Sequence, residues 1–227
     1  MITTNVIQRT FHIRVGDSIG TCFTVDIADK QYIITARHVV SGVSGTQKIS
    51  IFHGDQWKDI DVTLVGHCDG EIDISVLATN VLLSPNYPLP ATMEGIVYGQ
   101  DVYFLGFPYG MTGAIGEMNR DFPLPFVKQA ILSCLYTTPA GNQLLFLDGH
   151  NNPGFSGGPV VFKEQNKPDL KVAGVISGYR YNEEPIYQGA QQLPLAYRYN
   201  TGIIITYGIR HAIELIESNP VGLSLNA

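Results

Sequence analysis

The chain has 227 residues, enough for one large or two small domains around a shared core. Apolar residues make up 44% and charged residues 15%, which excludes an intrinsically disordered chain. The net charge, 14 − 20 = −6, comes with no clustered run of Lys and Arg, so neither nucleic acid nor an anionic membrane is expected as a partner.

The N-terminal residues Met-Ile-Thr-Thr-Asn-Val-Ile-Gln-Arg-Thr lack the charged start and apolar stretch of a secretory signal. No apolar run approaches the roughly 20 residues that span a bilayer. Short β-rich runs then follow one another, punctuated by Gly, Asn, Asp and Pro. They are Phe23–Ile27, Gln31–Thr35, Ile74–Leu77, Asp101–Leu105, Pro159–Phe162, Lys171–Ile176 and Gly202–Thr206. Strands at this density with little helix between them read as an all-β sandwich or barrel. The stretch Ser84-Pro85-Asn86-Tyr87-Pro88-Leu89-Pro90 suits a connector, because proline brings no backbone donor to a ladder. The one clear helix comes last, with Ile209, Ala212, Ile213 and Ile216 spaced i, i+3, i+4, i+7 and Asn219-Pro220 as its stop. Cys22, Cys68 and Cys134 are odd in number and far apart. They point to neither a disulfide framework nor a zinc site but to reduced, mostly buried thiols, for which the cytoplasm is the simplest home.

The strongest local signal for chemistry is Asn152-Pro153-Gly154-Phe155-Ser156-Gly157-Gly158-Pro159. Amide hydrolysis through an acyl-enzyme needs an exposed hydroxyl beside backbone N–H groups aimed at a developing oxyanion. The glycines allow that tight path, with the N–H groups of Gly154 and Ser156 as the oxyanion donors. His38, in Thr35-Ala36-Arg37-His38-Val39-Val40, follows an apolar strand and is the candidate base, whereas His12, His53, His67 and His211 read as surface or structural. The base needs an orienting carboxylate. Asp73, a lone acid ahead of the apolar Ile74-Ser75-Val76-Leu77, fits better than Asp69 or Asp61, which lie in more polar surroundings. The order is His, Asp, Ser, with separations of 73 − 38 = 35 and 156 − 73 = 83.

At this point the chain resembles the trypsin-like superfamily, most closely the bacterial HtrA/Deg-type protease domain, over roughly residues 15–215. Gly20-Thr21-Cys22-Phe23 is similar to that family's Gly-Ser-Gly-Phe strand, and Thr35–Val40 to its Thr-Asn-x-His-Val-Val. Asp73–Leu77 is similar to Asp-Leu-Ala-Val-Leu, and Leu105–Gly110 to Ile-Gly-x-Pro-x-Gly. Asp148–Pro159 resembles the nucleophile segment, and Val172–Ser177 the strand backing the pocket for the residue before the cut. The resemblance implies two orthogonal six-stranded antiparallel β-barrels and a C-terminal helix. The expected division is a first barrel over 1–83 with His38 and Asp73, a linker over 84–93, a second barrel over 94–207 with Ser156, and a helix and tail over 208–227. It implies proteolysis without metal or organic cofactor, with polypeptide as substrate. It also places His150, Ser177, Gly178, Tyr179 and Gly202 around the substrate. No acid stands at the pocket's expected base, so a small or medium apolar residue before the cut is favoured over Arg or Lys, while His150 could attract an acid.

The departures are specific. Phe155 stands where the family usually has Asn or Asp, and Cys22 replaces a glycine. No internal Ile-Val-Gly-Gly-like cleavage site is apparent, so activation through a newly cut terminus is not expected. With 227 − 156 = 71 residues after Ser156, no PDZ-sized region follows the barrel. Two functions fit these residues. One is a serine endopeptidase, either active by itself or restrained until a regulatory partner or substrate orders its site; the other is a silent module that uses the cleft as a peptide groove.

Overall fold

The computed structural model describes residues 1–225. Twelve strands close into two six-stranded antiparallel barrels. The first is formed by β1 (Thr10–Val15), β2 (Ser18–Ile27), β3 (Lys30–Thr35), β4 (Thr46–His53), β5 (Gln56–His67) and β6 (Ser75–Thr79), in the order β1-β2-β3-β6-β5-β4. The second is formed by β7 (Asp101–Gly106), β8 (Phe126–Thr137), β9 (Gln143–Asp148), β10 (Pro159–Lys163), β11 (Leu170–Gln188) and β12 (Gln191–Gly208), in the order β10-β11-β12-β9-β8-β7. The all-β reading from the sequence thus holds, and each expected run lies on a strand, except that Ile74 falls one residue before β6.

Each barrel fills its interior with the inward-facing half of its strands, as the period of two requires. Phe11, Ile13, Ile33, Ile49, Ile51 and Leu77 pack inside the first, and Phe104, Leu132, Leu147, Phe155, Phe162 and Ile204 inside the second. A third cluster joins them: Phe23, Tyr32, Ile34 and Val76 of barrel one meet Val161, Val172 and Val175 of barrel two. Helix α2 (Arg210–Ser218) seals that seam with Ala212 and Ile216, the periodic residues read from the sequence, and Ile209 just ahead of it is buried too. A short helix, α1 (Thr4–Ile7), adds Val6 to the same seam and was not anticipated.

The connection between barrels is longer than the proline stretch. Strand β6 ends at Thr79 and β7 begins at Asp101. The prolines are pinned to barrel one by Arg9, which is 1% exposed, pairs with Asp26 at 2.5 Å and donates to the carbonyls of Pro85 and Tyr87. A buried guanidinium is tolerable only with such a full set of acceptors. Beyond the prolines, Val172 N–H bonds the Pro90 carbonyl and Thr92 N–H the Val172 carbonyl, so residues 90–92 are already docked on barrel two. All three cysteines are free thiols; Cys22 and Cys68 are buried and Cys134 is half-buried, as expected of reduced, mostly buried cysteines. Among the described residues no helix is long and apolar enough to cross a membrane.

Candidate active site

The C-terminal end of β3 delivers a 3₁₀ turn, Arg37–Val39, and with it His38. Asp73 lies just before β6, opposite that turn. It accepts the His38 backbone N–H on Oδ1 at 2.9 Å and contacts His38 Nδ1 through Oδ2 at 2.7 Å. A carboxylate beside Nδ1 holds the proton there, leaving Nε2 as the ring's acceptor. Oδ2 also accepts the Ser177 hydroxyl at 2.6 Å. Burial pushes the Asp73 carboxyl up, but the hydrogen bonds from His38 and Ser177 and the His38 charge outweigh it, and the group is held below the usual carboxylate range. Asp61 sits in the β5 ladder opposite Lys48, and Asp69 in the turn before Asp73; neither bonds His38. A cavity of about 450 Å³, lined by Arg37, His38, Ser41, Glu71, Asp73 and Tyr207 among others, opens beside the pair.

Ser156 arrives from barrel two on the turn between β9 and β10. Its hydroxyl donates to the Ser177 carbonyl at 3.2 Å. Ser177 therefore touches both ends of the constellation, Asp73 through its side chain and Ser156 through its backbone. The sequence reading had given it a place beside substrate only. The histidine, aspartate and serine singled out by motif are brought to one cleft, with the serine turned to Ser177 rather than to His38.

The turn is packed from every side. Gly154 has φ +103°, and a Cβ there would lie 2.2 Å from the Phe107 carbonyl oxygen; one on Gly157, φ +85°, would lie 2.1 Å from the Thr21 oxygen. Only glycine fits. Thr21, on β2 of the opposite barrel, donates its hydroxyl to the Gly154 carbonyl at 2.7 Å and its N–H to the Ser156 carbonyl at 2.8 Å. The Pro153 carbonyl accepts the Tyr109 N–H at 2.8 Å. In that trans peptide the Gly154 N–H points the opposite way, and among the described residues neither it nor the Ser156 N–H has a protein acceptor. Phe155 is fully buried in barrel two, edge-on to Phe104 at 4.9 Å.

Polar side chains missed by motif reading hold the segment ahead of Gly154. Lys128, on β8, donates to the His150 carbonyl and to Asn152 Oδ1 at 3.0 Å, and its ammonium lies 5.8 Å from the Phe155 ring centroid. Burial lowers the Lys128 pKa. Asn152 Nδ2 donates to the Tyr109 hydroxyl at 3.2 Å. Asn151, 2% exposed, receives the Asn152 N–H on its side chain and donates to the Gly178 carbonyl at 3.1 Å, while Asn200 donates to its carbonyl at 2.7 Å. Of the remaining expected substrate contacts, Gly178 and Tyr179 lie on β11 next to Ser177, Gly202 closes onto Gly149 at 2.9 Å, and the His150 side chain is exposed. No sequence signal marks Lys128, whose partners His150 and Asn152 are distant along the chain, and nothing local marks the ties from Asn151 to Gly178 and Asn200.

Among solved structures, the Rv3671c protease from M. tuberculosis in its active form is 19% identical, with a TM-score of 0.62 over 96% of this chain and 84% of that one. The HtrA-type protease AlgW with tripeptide is 20% identical, TM-score 0.61, over 96% of this chain and 63% of that one. The serine endoprotease from Yersinia pestis is 19% identical, TM-score 0.58, over 96% and 66%. These likenesses are of fold. No curated protein matches. The trypsin-like peptidase domain matches residues 20–168, more than half the chain and a span that includes His38, Asp73 and Ser156. The two closed barrels, the cleft between them and that match together make this chain a member of the trypsin-like peptidase family.

Proposed function

We propose that the chain is a serine endopeptidase with Ser156 as nucleophile, His38 as general base and Asp73 as the group that orients it. The observation that carries the reading is the His38–Asp73 pair, tied through both Nδ1 and the backbone N–H beside a serine on a glycine-bound turn. In this scheme substrate lays its backbone N–H on the Ser177 carbonyl, displacing the Ser156 hydroxyl that occupies it, and Ser156 turns to His38 Nε2. Its oxygen attacks the scissile carbonyl carbon as Nε2 takes the proton. The oxyanion is met by the free N–H groups of Gly154 and Ser156. The C–N bond then breaks, His38 returns the proton to the leaving amine, and water repeats the sequence to release the acyl group.

Ser177, by holding Asp73 Oδ2, fixes the carboxylate in the plane that the imidazole needs. A small or medium apolar residue before the cut remains the favoured specificity. The cytoplasm remains the proposed location. Active-site labelling with a fluorophosphonate followed by peptide mapping tests the assignment: the adduct is expected on Ser156. Ser156→Ala should abolish labelling and lower turnover by about 10⁴-fold or more. Cleavage by that variant at the parent rate would overturn the proposal.

A further inference from the structure

Residues 68–74 join β5 to β6, and Asp73 is carried on that loop. Inside it the Cys68 N–H bonds the Ile74 carbonyl at 2.9 Å, and the Ile72 N–H reaches the Asp69 carbonyl only at 3.4 Å. Gly70 stands at the tip with φ +60°, and a Cβ there would meet nothing within 4 Å. A loop so lightly bound to itself leaves the Asp73 carboxylate free to swing away from the base unless something outside the loop holds its backbone.

The residue before the base supplies that hold. Arg37 is half-buried and opens the 3₁₀ turn that presents His38. Its Nη1 donates to the Cys68 carbonyl and its Nη2 to the Gly70 carbonyl, each at 2.8 Å. A planar guanidinium fork spans two such carbonyls at once, whereas an ammonium is a single point. Because Arg37 and His38 are neighbours in one turn, a ring closes. It runs from Arg37 to Gly70, along the chain to Asp73, and from Asp73 Oδ1 back to the His38 N–H at 2.9 Å. A separate tie lies beside it. His67 Nε2 contacts the Val43 carbonyl at 3.0 Å and its Nδ1 the Ser75 hydroxyl at 2.6 Å. A carbonyl only accepts, so Nε2 carries the proton and Nδ1 accepts from Ser75. The segment after His38 is thereby fastened to the start of β6 independently of Arg37. Losing Arg37 therefore loosens the loop without parting the strands. We infer that Arg37 is a positioning residue, whose fork holds the backbone of residues 68–70 so that the Asp73 carboxylate stays set against the His38 ring. This rests on the peptidase reading above and adds to it a residue that acts through Asp73.

Two variants of the full chain test this. Arg37→Met keeps most of the stem and removes both donors. On a peptide substrate its kcat should fall by about ten- to a hundredfold, the scale on which misplaced catalytic groups cost rate, with KM within about twofold of the parent's. Its urea midpoint should stay near that of the parent. Arg37→Lys keeps the charge but holds one carbonyl at a time, so its kcat should lie between the two. A further readout needs no turnover. The proton on His38 Nδ1, held by Asp73, should give a far-downfield NMR resonance in the parent, and in Arg37→Met that resonance should broaden or vanish as the proton exchanges with water. An unchanged kcat or an unchanged resonance in Arg37→Met would overturn the inference, as would a loss of kcat matched by a loss of folded protein. A raised KM with kcat kept would overturn it too, making Arg37 a wall of the substrate cavity. A lysine variant level with the parent would assign the effect to charge alone and sink the role of the fork. A parent that cleaves no peptide and takes no fluorophosphonate would remove the peptidase reading, and the resonance would still decide whether Arg37 sets the His38–Asp73 pair.

Discussion

His12 gives the structure a measurable weakness in acid. It lies on β1, 4% exposed, stacked on Phe107 at 4.8 Å with Trp57 at 4.8 Å and Phe52 at 6.0 Å, and neither ring nitrogen has a partner among the described residues. Burial lowers its pKa from 6.5 to about 4. A lowered value means that the folded chain keeps the ring neutral while the unfolded chain takes up a proton. Stability is therefore lost as pH falls below 6.5, and the loss is complete near 4. The whole gap corresponds to about 3 kcal/mol, of which about 2 kcal/mol is gone by pH 5. His12→Leu, close in volume and unable to ionise, should abolish this loss. Urea unfolding of parent and variant at pH 7.5 and pH 5.0 reads it directly: the parent should lose about 2 kcal/mol more than the variant between the two. Parallel losses would refute the reasoning. The matter touches the site because Phe107, the ring stacked on His12, carries the carbonyl against which Gly154 is packed.

Asp73→Asn should leave the fold intact but lower turnover by about 10⁴-fold, because an amide can hold the wrong His38 tautomer. A rate near that of the parent would transfer the role to another acid. The same change should blunt the acid loss of stability, since the depressed Asp73 contributes fully above the usual carboxylate range and its contribution fades as pH falls through its folded value. Lys128→Met keeps the aliphatic stem but not the cation, and should lower kcat by about ten- to a hundredfold with little change in KM, as expected for hydrogen bonds to a charged group that hold the oxyanion segment. An unchanged kcat would make Lys128 a surface residue. Phe155→Ala should cost about 3–5 kcal/mol in denaturant unfolding, the range for emptying a well-packed aromatic site; a cost under 1 kcal/mol would mean the ring is no anchor.

The barrels were legible because short apolar, β-branched runs between turn residues announce buried strands. Gln31–Thr35, buried on both faces between the barrel interior and the seam, and Asp101–Leu105 each lie on a strand of the expected barrel. The cleft was legible for another reason: a sharp turn around Ser156 can be made only with Gly154 and Gly157, so the requirement is written in consecutive letters. The long hairpin was not legible. Residues 178–202 are rich in Tyr, Asn, Gln and Glu, are broken by Pro185 and Pro194, and bury little, so no alternation marks them. Their pairing is held by polar contacts such as Arg198–Glu183, whose members are separated in sequence by the whole tip of the hairpin. The docking of residues 90–92 on Val172 was hidden likewise, since the prolines argued for a connector and the pairing partner lies in the other barrel.

Phe155 shows how a departure at one position is absorbed by others. A polar residue beside the nucleophile can fix its turn by hydrogen bonds; a phenyl ring cannot, and here it becomes part of the second barrel's core. The hydrogen bonds move outward. Thr21 holds the carbonyls of Gly154 and Ser156 from barrel one, Tyr109 holds that of Pro153, and Lys128 holds that of His150. The turn is thus fixed by a buried ring beneath and by donors from both barrels around it. Among the described residues neither the Gly154 nor the Ser156 N–H has a protein acceptor, while the carbonyls that precede them, of Pro153 and Phe155, are committed to the N–H groups of Tyr109 and Gly158. Thr21 reaches this turn from the other barrel, so the packing of the barrels on each other, to which Ala212 and Ile216 contribute, also holds the Gly154–Ser156 turn in place.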